Sequence, residues 1–198
     1  SQSLMLCAIV LVLLLAGCAP AAPTTTQTIA FIHVNLIPMT SETVIYNQTV
    51  LVKGSEIVAI GDSDKLNIPW GAQVIDGKGA YLMPGLADMH IHTRPDWDDR
   101  GVWPVNPLYL YLANGVTTVR DMTPAGPHPT YALQWRDKIR AGSRIGPTLY
   151  TSGMRIDGSP LGEGIPAKLV RENHDQGFDF LKLYSYLSVE DFRAAMRE

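Results

Sequence analysis

Cysteine is nearly missing from this chain: 198 residues contain 2, Cys7 and Cys18. A cysteine-ligated zinc site is thereby excluded, and disulfides give no guide to the redox environment. Basic residues are absent from the first quarter, with no Lys or Arg before Lys53, and the chain does not begin with methionine. A formal charge of −3 leaves no basic footprint, so nucleic acid is not among the expected partners. There is no run of like charges and no short-period repeat. The 14 prolines and 17 glycines are spread as turn punctuation. What remains, 46% hydrophobic and 18% charged, describes a globular chain.

The one long apolar run, Leu4 to Ala16, is about a dozen residues, short for a bilayer span and the right length for a signal-peptide core. It ends in Leu15-Ala16-Gly17-Cys18, which resembles a bacterial lipobox, with Cys18 as the lipidated residue. Residues 1–18 are therefore expected to be a lipoprotein signal. Residues 19–28, small, Pro-rich and uncharged, are expected to be a flexible tether. The expected location is extracytoplasmic, anchored to a bacterial membrane at the cell surface or in the periplasm. A plain secretory signal or a buried apolar segment is the alternative.

From residue 29 to about 83 the pattern is β. Short β-branched runs at Thr28–Ile37, Thr43–Tyr46, Gln48–Lys53 and Glu56–Ile60 are separated by polar turns, and Lys53-Gly54-Ser55-Glu56 reads as a hairpin turn. From residue 84 the rhythm alternates. Strands are expected at Gly85–His92, Val116–Met122, Pro147–Ser152 and Phe178–Tyr184. Helices are expected at Pro107–Asn114, Tyr131–Ala141 and Ala167–Gln176, each followed by a glycine (Gly115, Gly142, Gly177). A fourth helix opens at the capping box Ser188–Asp191. Repeated βα units imply a parallel sheet.

Chemistry concentrates at the end of the first of these strands. Side chains alternate across a strand, so His90 and His92 project from one face about 7 Å apart along the chain, close enough to share an ion. Asp88 has the same parity, and either orients a histidine or makes backbone hydrogen bonds deeper in the strand. Lys182 lies in the fourth strand between Leu181 and Leu183, on the face of Phe180 and Tyr184. A lone ammonium facing an apolar interior is costly to desolvate, which favours the neutral, nucleophilic amine. The alternative is a lysine whose amine reaches solvent. Arg94 is a candidate for a substrate carboxylate, or an exposed loop arginine. Arg120 and Asp121 read as a structural ion pair near the rim, Arg155 as a further substrate contact. His33, His128 and His174 are expected to have no catalytic role.

Leu82-Met-Pro-Gly-Leu-Ala-Asp-Met-His-Ile-His-Thr93, Asn114-Gly-Val-Thr-Thr-Val-Arg-Asp121 and Asp179-Phe-Leu-Lys-Leu-Tyr184 together resemble the amidohydrolase superfamily, in its imidazolonepropionase- and prolidase-like branch. The resemblance implies an α/β fold in which the N-terminal part of a small β-sandwich (29–83) precedes the first half, about four βα units, of a TIM-like (β/α)8 barrel (84–198). A complete barrel takes about 250 residues, so the chain reads as a fragment. The resemblance further implies a divalent metal, zinc first among the choices, as one or two ions on His90 and His92, with Lys182 as a carbon dioxide-derived carbamate bridging them. The implied activity is metal-assisted hydrolysis of carbon–nitrogen bonds in amides, cyclic amides or dipeptides. The general base, an aspartate in the family, falls beyond residue 198, so the fragment alone is expected to be inactive. A mononuclear deaminase-like centre is the runner-up within the enzyme reading. A non-catalytic surface binding lipoprotein on the same scaffold is the alternative from another class. Expected partners are a small amide or peptide substrate and the membrane through its anchor, with oligomerisation left open for the full-length protein.

Overall fold

The structure is a computed structural model that describes residues 27–98, 106–124, 129–158 and 160–198. The signal, Cys18, most of the tether and His128 lie outside the described residues. The chain divides between Pro84 and Gly85 into two compact units. Among the described residues no helix is long and apolar enough to cross a membrane.

The first unit is a sheet of five strands: β1 (Thr28–Leu36), β2 (Ile45–Lys53), β3 (Glu56–Asp62), β4 (Gln73–Asp76) and β5 (Tyr81–Leu82). The order is β3-β2-β1-β4, with β5 also paired to β1. The β1–β2 and β2–β3 pairs are antiparallel, whereas β4 and β5 run parallel to β1. Gly54 turns the β2–β3 hairpin with a φ of 63°, a left-handed conformation that glycine adopts without a Cβ penalty. Two runs expected to be separate strands, Thr43–Tyr46 and Gln48–Lys53, are instead joined. Strand β2 runs through Asn47, whose φ of 49° absorbs one irregularity in its register with β1. The opposite irregularity is at His33 (φ 52°), whose Nδ1 sits 3.1 Å from Asp76 Oδ1. Val34, Leu36 and Val50 form the apolar core, backed by Phe31, Val52 and Leu82. Residue 77 must be glycine, because a Cβ there would lie 2.5 Å from Val34 Cγ1.

The second unit is a parallel sheet in the order β6 (Leu86–Ile91), β7 (Val116–Asp121), β8 (Thr148–Thr151). Helix α1 (Pro107–Ala113) follows β6, and its N-cap Asn106 accepts the Leu108 amide at 2.9 Å. Helix α2 (Thr130–Arg140) links β7 to β8, then come α3 (Ile165–Asp175) and α4 (Val189–Met196). Glycines at positive φ close the first three helices (Gly115 77°, Gly142 69°, Gly177 82°). Helix α3 begins two residues earlier than expected, because Gly164 at φ 75° and Pro166 set its entry. Ser188 caps α4, accepting the Asp191 amide and donating its hydroxyl to Asp191 Oδ2. Ile91, Leu108, Val119, Trp135 and Leu149 form the core between sheet and helices.

The expected fourth strand, Phe178–Tyr184, is not a strand. Two isolated parallel bridges hold it to the chain after β8, Ser152↔Phe180 and Ile156↔Leu183. Four residues separate the bridges on one side and three on the other, so the register slips. Gly153 sits at the slip, packed so closely that a Cβ would fall 1.9 Å from Asn173 Oδ1. The segment is held instead by the Ile156 amide on the Lys182 carbonyl (2.8 Å), the Tyr184 amide on the Ile156 carbonyl (3.0 Å) and the Asp179 side chain.

Candidate functional site

Strand alternation sets the arrangement at the end of β6. Ile91 turns into the core with 4% exposure, while His90 and His92 face outward on the other side. Their rings meet edge to face, centroids 5.2 Å apart. Two imidazoles bound to one tetrahedral ion by bonds of about 2.1 Å have centroids about 5 Å apart. The observed separation of the two rings is of that size. Asp88 takes the second of its two expected roles: its Oδ1 accepts the His90 amide at 3.0 Å, across the irregular register between β6 and β7.

The ring of His92 is held by a feature the sequence did not reveal. Its Nδ1 lies 2.9 Å from the carbonyl oxygen of Thr123, so Nδ1 donates and Nε2 keeps the lone pair a metal needs. Thr123 itself has a φ of 114°, which is costly for a β-branched residue and more so before Pro124. Backbone strain of this kind collects at functional sites. The only sequence signal was the Thr-Pro step after the second strand.

His90, His92 and Thr123 line a cavity of about 420 Å³ together with Lys182, Arg155 and Tyr184. The structure thus brings together the three residues expected to be metal ligands. Lys182 differs from expectation in burial: it is half-buried rather than sealed in a barrel interior, because its segment bridges loosely to β8. Its Nζ lies 5.6 Å from the centroid of the Tyr184 ring. Among the described residues no group of three His, Cys, Asp or Glu side chains converges on a metal-sized position. Among the described residues the nitrogen donors of histidine and lysine on this cavity wall are two imidazoles and an amine.

The arginines are distributed differently from the sequence reading. Arg94 grips Asp96 through Nε and Nη2 at 3.0 and 3.1 Å and is not part of the cavity wall. Arg120 and Asp121 form no ion pair, since neighbours on a strand point to opposite faces. Arg120 donates to the Met89 carbonyl at 2.9 Å and lies over the Phe180 ring. Asp121 is wholly buried and accepts the Thr93 hydroxyl. Burial pushes its carboxyl up to about 6, against the Thr93 hydrogen bonds and the His92 charge that pull it down. Tyr131 completes this buried network, donating its hydroxyl to the Thr93 carbonyl at 2.7 Å. Arg155 is on the cavity wall, its Nε 2.9 Å from Asp157 and its guanidinium 5.2 Å from the Tyr184 ring. His174 is exposed on α3 beside Asp175, and His33 belongs to the first unit's sheet.

No family model matches the chain. It is similar to adenine deaminase 2 of Shouchella clausii, 37% identical over 70 residues, 35% of this chain and 12% of the relative. It is also similar to an L-hydantoinase of Paenarthrobacter aurescens, 30% identical over 134 residues, 65% of this chain and 26% of the relative. A solved prolidase-type protein of Bifidobacterium longum superposes with a TM-score of 0.72 at 24% identity, covering 87% of this chain and 47% of its own. The chain thus spans about half the length of that structure and less of the curated relatives. Its fold is that of the first part of an amidohydrolase: sheet unit, then the opening βα units of a TIM-like barrel. By sequence it is similar to amidohydrolase-type enzymes acting on carbon–nitrogen bonds.

Proposed function

We propose that the intact protein carrying this chain is a metal-dependent hydrolase of carbon–nitrogen bonds in small amides, cyclic amides or dipeptides. The observation that carries the reading is the His90–His92 pair, at ion-sharing separation, facing one cavity with Lys182. The hydantoinase and deaminase names of the sequence relatives support the bond type. His90 and His92 would hold a divalent ion, zinc first among the choices, with Lys182 bridging to a second ion as its carbamate. In forming that carbamate the neutral amine attacks carbon dioxide, a nitrogen–carbon bond forms and one proton leaves to solvent. A bound metal supplies Lewis acidity toward the scissile carbonyl and lowers the pKa of a water. The Thr123 carbonyl keeps His92 in the tautomer whose Nε2 can ligate.

We place the protein outside the cytoplasm, anchored through a lipid on Cys18. Cys18→Ser should then move it from the membrane to the soluble fraction, and unchanged membrane retention would remove the anchor. The function is tested by metal content and amide hydrolysis of the intact protein, comparing wild type, Lys182→Ala and His90→Ala/His92→Ala. About two ions per chain, falling sharply in both variants together with hydrolysis, is the expected result. Absence of stoichiometric metal in the wild type would instead leave a non-catalytic binding lipoprotein on a hydrolase scaffold.

A further inference from the structure

We propose that the turn carrying Trp70, with the Lys53–Glu56 hairpin at the same end of its sheet, seats on the lipid bilayer as a second membrane contact. That this end faces the membrane rests on the Cys18 anchor; the affinity of the turn for lipid does not.

Register places three features at one end of the first unit's sheet. Strand β1 enters there, where Thr28 pairs with Lys53 and Ile29 with Gln73. Lys53 in turn pairs with Glu56 across the β2–β3 hairpin. The turn Pro69–Ala72 leads directly into Gln73, so it sits at the same end. The chain from Cys18 to Thr28 spans at most about 35 Å when extended, and about 15–20 Å as a coil. A lipid on Cys18 therefore keeps this end of the sheet within reach of the headgroups.

The turn presents its indole outward. The Ala72 amide donates to the Pro69 carbonyl at 3.1 Å, and Gly71 takes a φ of 80°. A left-handed third residue marks a type II turn, and glycine takes that position without a Cβ penalty. Trp70 occupies the corner and is fully exposed, and Ile68 before it is 40% exposed. An indole, apolar in body with one N–H to hydrate, suits the headgroup boundary, where tryptophan concentrates. A fixed turn also loses little conformational freedom on seating. On the sheet's other edge, at the same end, Ile57 is exposed just after the hairpin. Three strand spacings, about 14 Å, separate those edges. A plane touches both at once, which a small ligand cannot. Charge permits the approach. Lys53 and Glu56 offset each other here, whereas Asp62 and Asp76 pair with Gln48 and Ile32 farther along the sheet.

The intact protein made without residues 1–18, and so without lipid, is mixed with vesicles of phosphatidylethanolamine and phosphatidylglycerol. Weak, reversible sedimentation with the vesicles is expected, and Trp70→Ser should lower the partition coefficient about tenfold. Tyr46→Ser, at an exposed tyrosine toward the opposite end, should leave it unchanged. Brominated lipid chains should quench wild-type fluorescence more than that of Trp70→Phe. These positions are exposed, so an unchanged melting temperature is expected and separates lost contact from lost fold. No sedimentation, equal partition of wild type and Trp70→Ser, or quenching indifferent to Trp70→Phe overturns the proposal. So does an equal loss in Tyr46→Ser, because contact would then not be confined to this end. The anchor is scored separately: a Cys18→Ser protein that stays on the membrane removes the lipid without touching the vesicle result.

Discussion

Asp121 has no exposed surface and accepts one side-chain hydrogen bond, from the Thr93 hydroxyl, while its Oδ1 has no partner among the described residues. Desolvation therefore dominates, and the carboxyl titrates near 6 in the folded protein against about 3.9 unfolded. A raised folded value means the native state holds the proton more tightly. The associated stability is fully present below about pH 4 and is lost as pH rises through 6. Two units correspond to about 3 kcal/mol at most. Metal-free protein should accordingly unfold more readily at pH 7 than at pH 5, and Asp121→Asn should flatten that part of the curve and raise stability at pH 7. Chemical denaturation across this range checks it; an unchanged slope in the variant would assign the pH dependence to other groups. None of this was legible from the residue type. In sequence Asp121 sits beside Arg120 and invites an ion pair, but the strand sends the two side chains to opposite faces. Thr123 was equally hidden, because a positive φ at a β-branched residue contradicts every local preference. It is imposed by the fold, where its carbonyl meets His92.

The segment carrying Lys182 depends on side chains more than on a backbone ladder. Asp179 accepts from the Thr151 amide at 2.9 Å, Arg136 at 3.1 Å and Arg140 at 3.0 Å, tying the segment to β8 and α2. Burial opposes its charge, yet the Thr151 amide and the two guanidiniums outweigh it and hold the carboxyl below the usual range. That stability is present above the unfolded value and is lost as pH falls through the folded one. Asp179→Ala should cost about 2 kcal/mol, since it leaves the nearly buried Arg136 guanidinium with less of its partner. It should also speed hydrogen exchange at the Ile156 amide, bonded to the Lys182 carbonyl, and at the Tyr184 amide, bonded to the Ile156 carbonyl. Exchange as slow as in wild type would show that the two bridges suffice alone. The regular elements were largely readable, because the glycines after α1, α2 and α3 and the Ser188 box are local signals. The fourth strand was not. Its alternating apolar pattern is strand-like, but pairing is a non-local property, and the slip at Gly153 has no signature in the segment itself.

On the scale of the molecule, the site joins residues almost a hundred positions apart. His90 and His92 were legible because strand parity fixes their common face, and the structure adds their 5.2 Å approach. That Lys182 shares their cavity followed from the resemblance and from the order of βα units, not from any local pattern around it. That Arg155 lies over the Tyr184 ring became visible only in three dimensions. If the pair does hold an ion, binding must stabilise the whole fold, because only the folded chain brings His90, His92 and Lys182 to one place. An ion at a hundred times its dissociation constant contributes about 2.7 kcal/mol. For a protein of this size or larger, that corresponds to several degrees in Tm. Chelation should therefore lower the Tm of the intact wild type by several degrees, with recovery on adding zinc. His90→Ala/His92→Ala should melt near the chelated wild type and respond to neither treatment. A wild-type melting point indifferent to both chelator and zinc would mean that the paired histidines hold no ion, whatever their geometry permits.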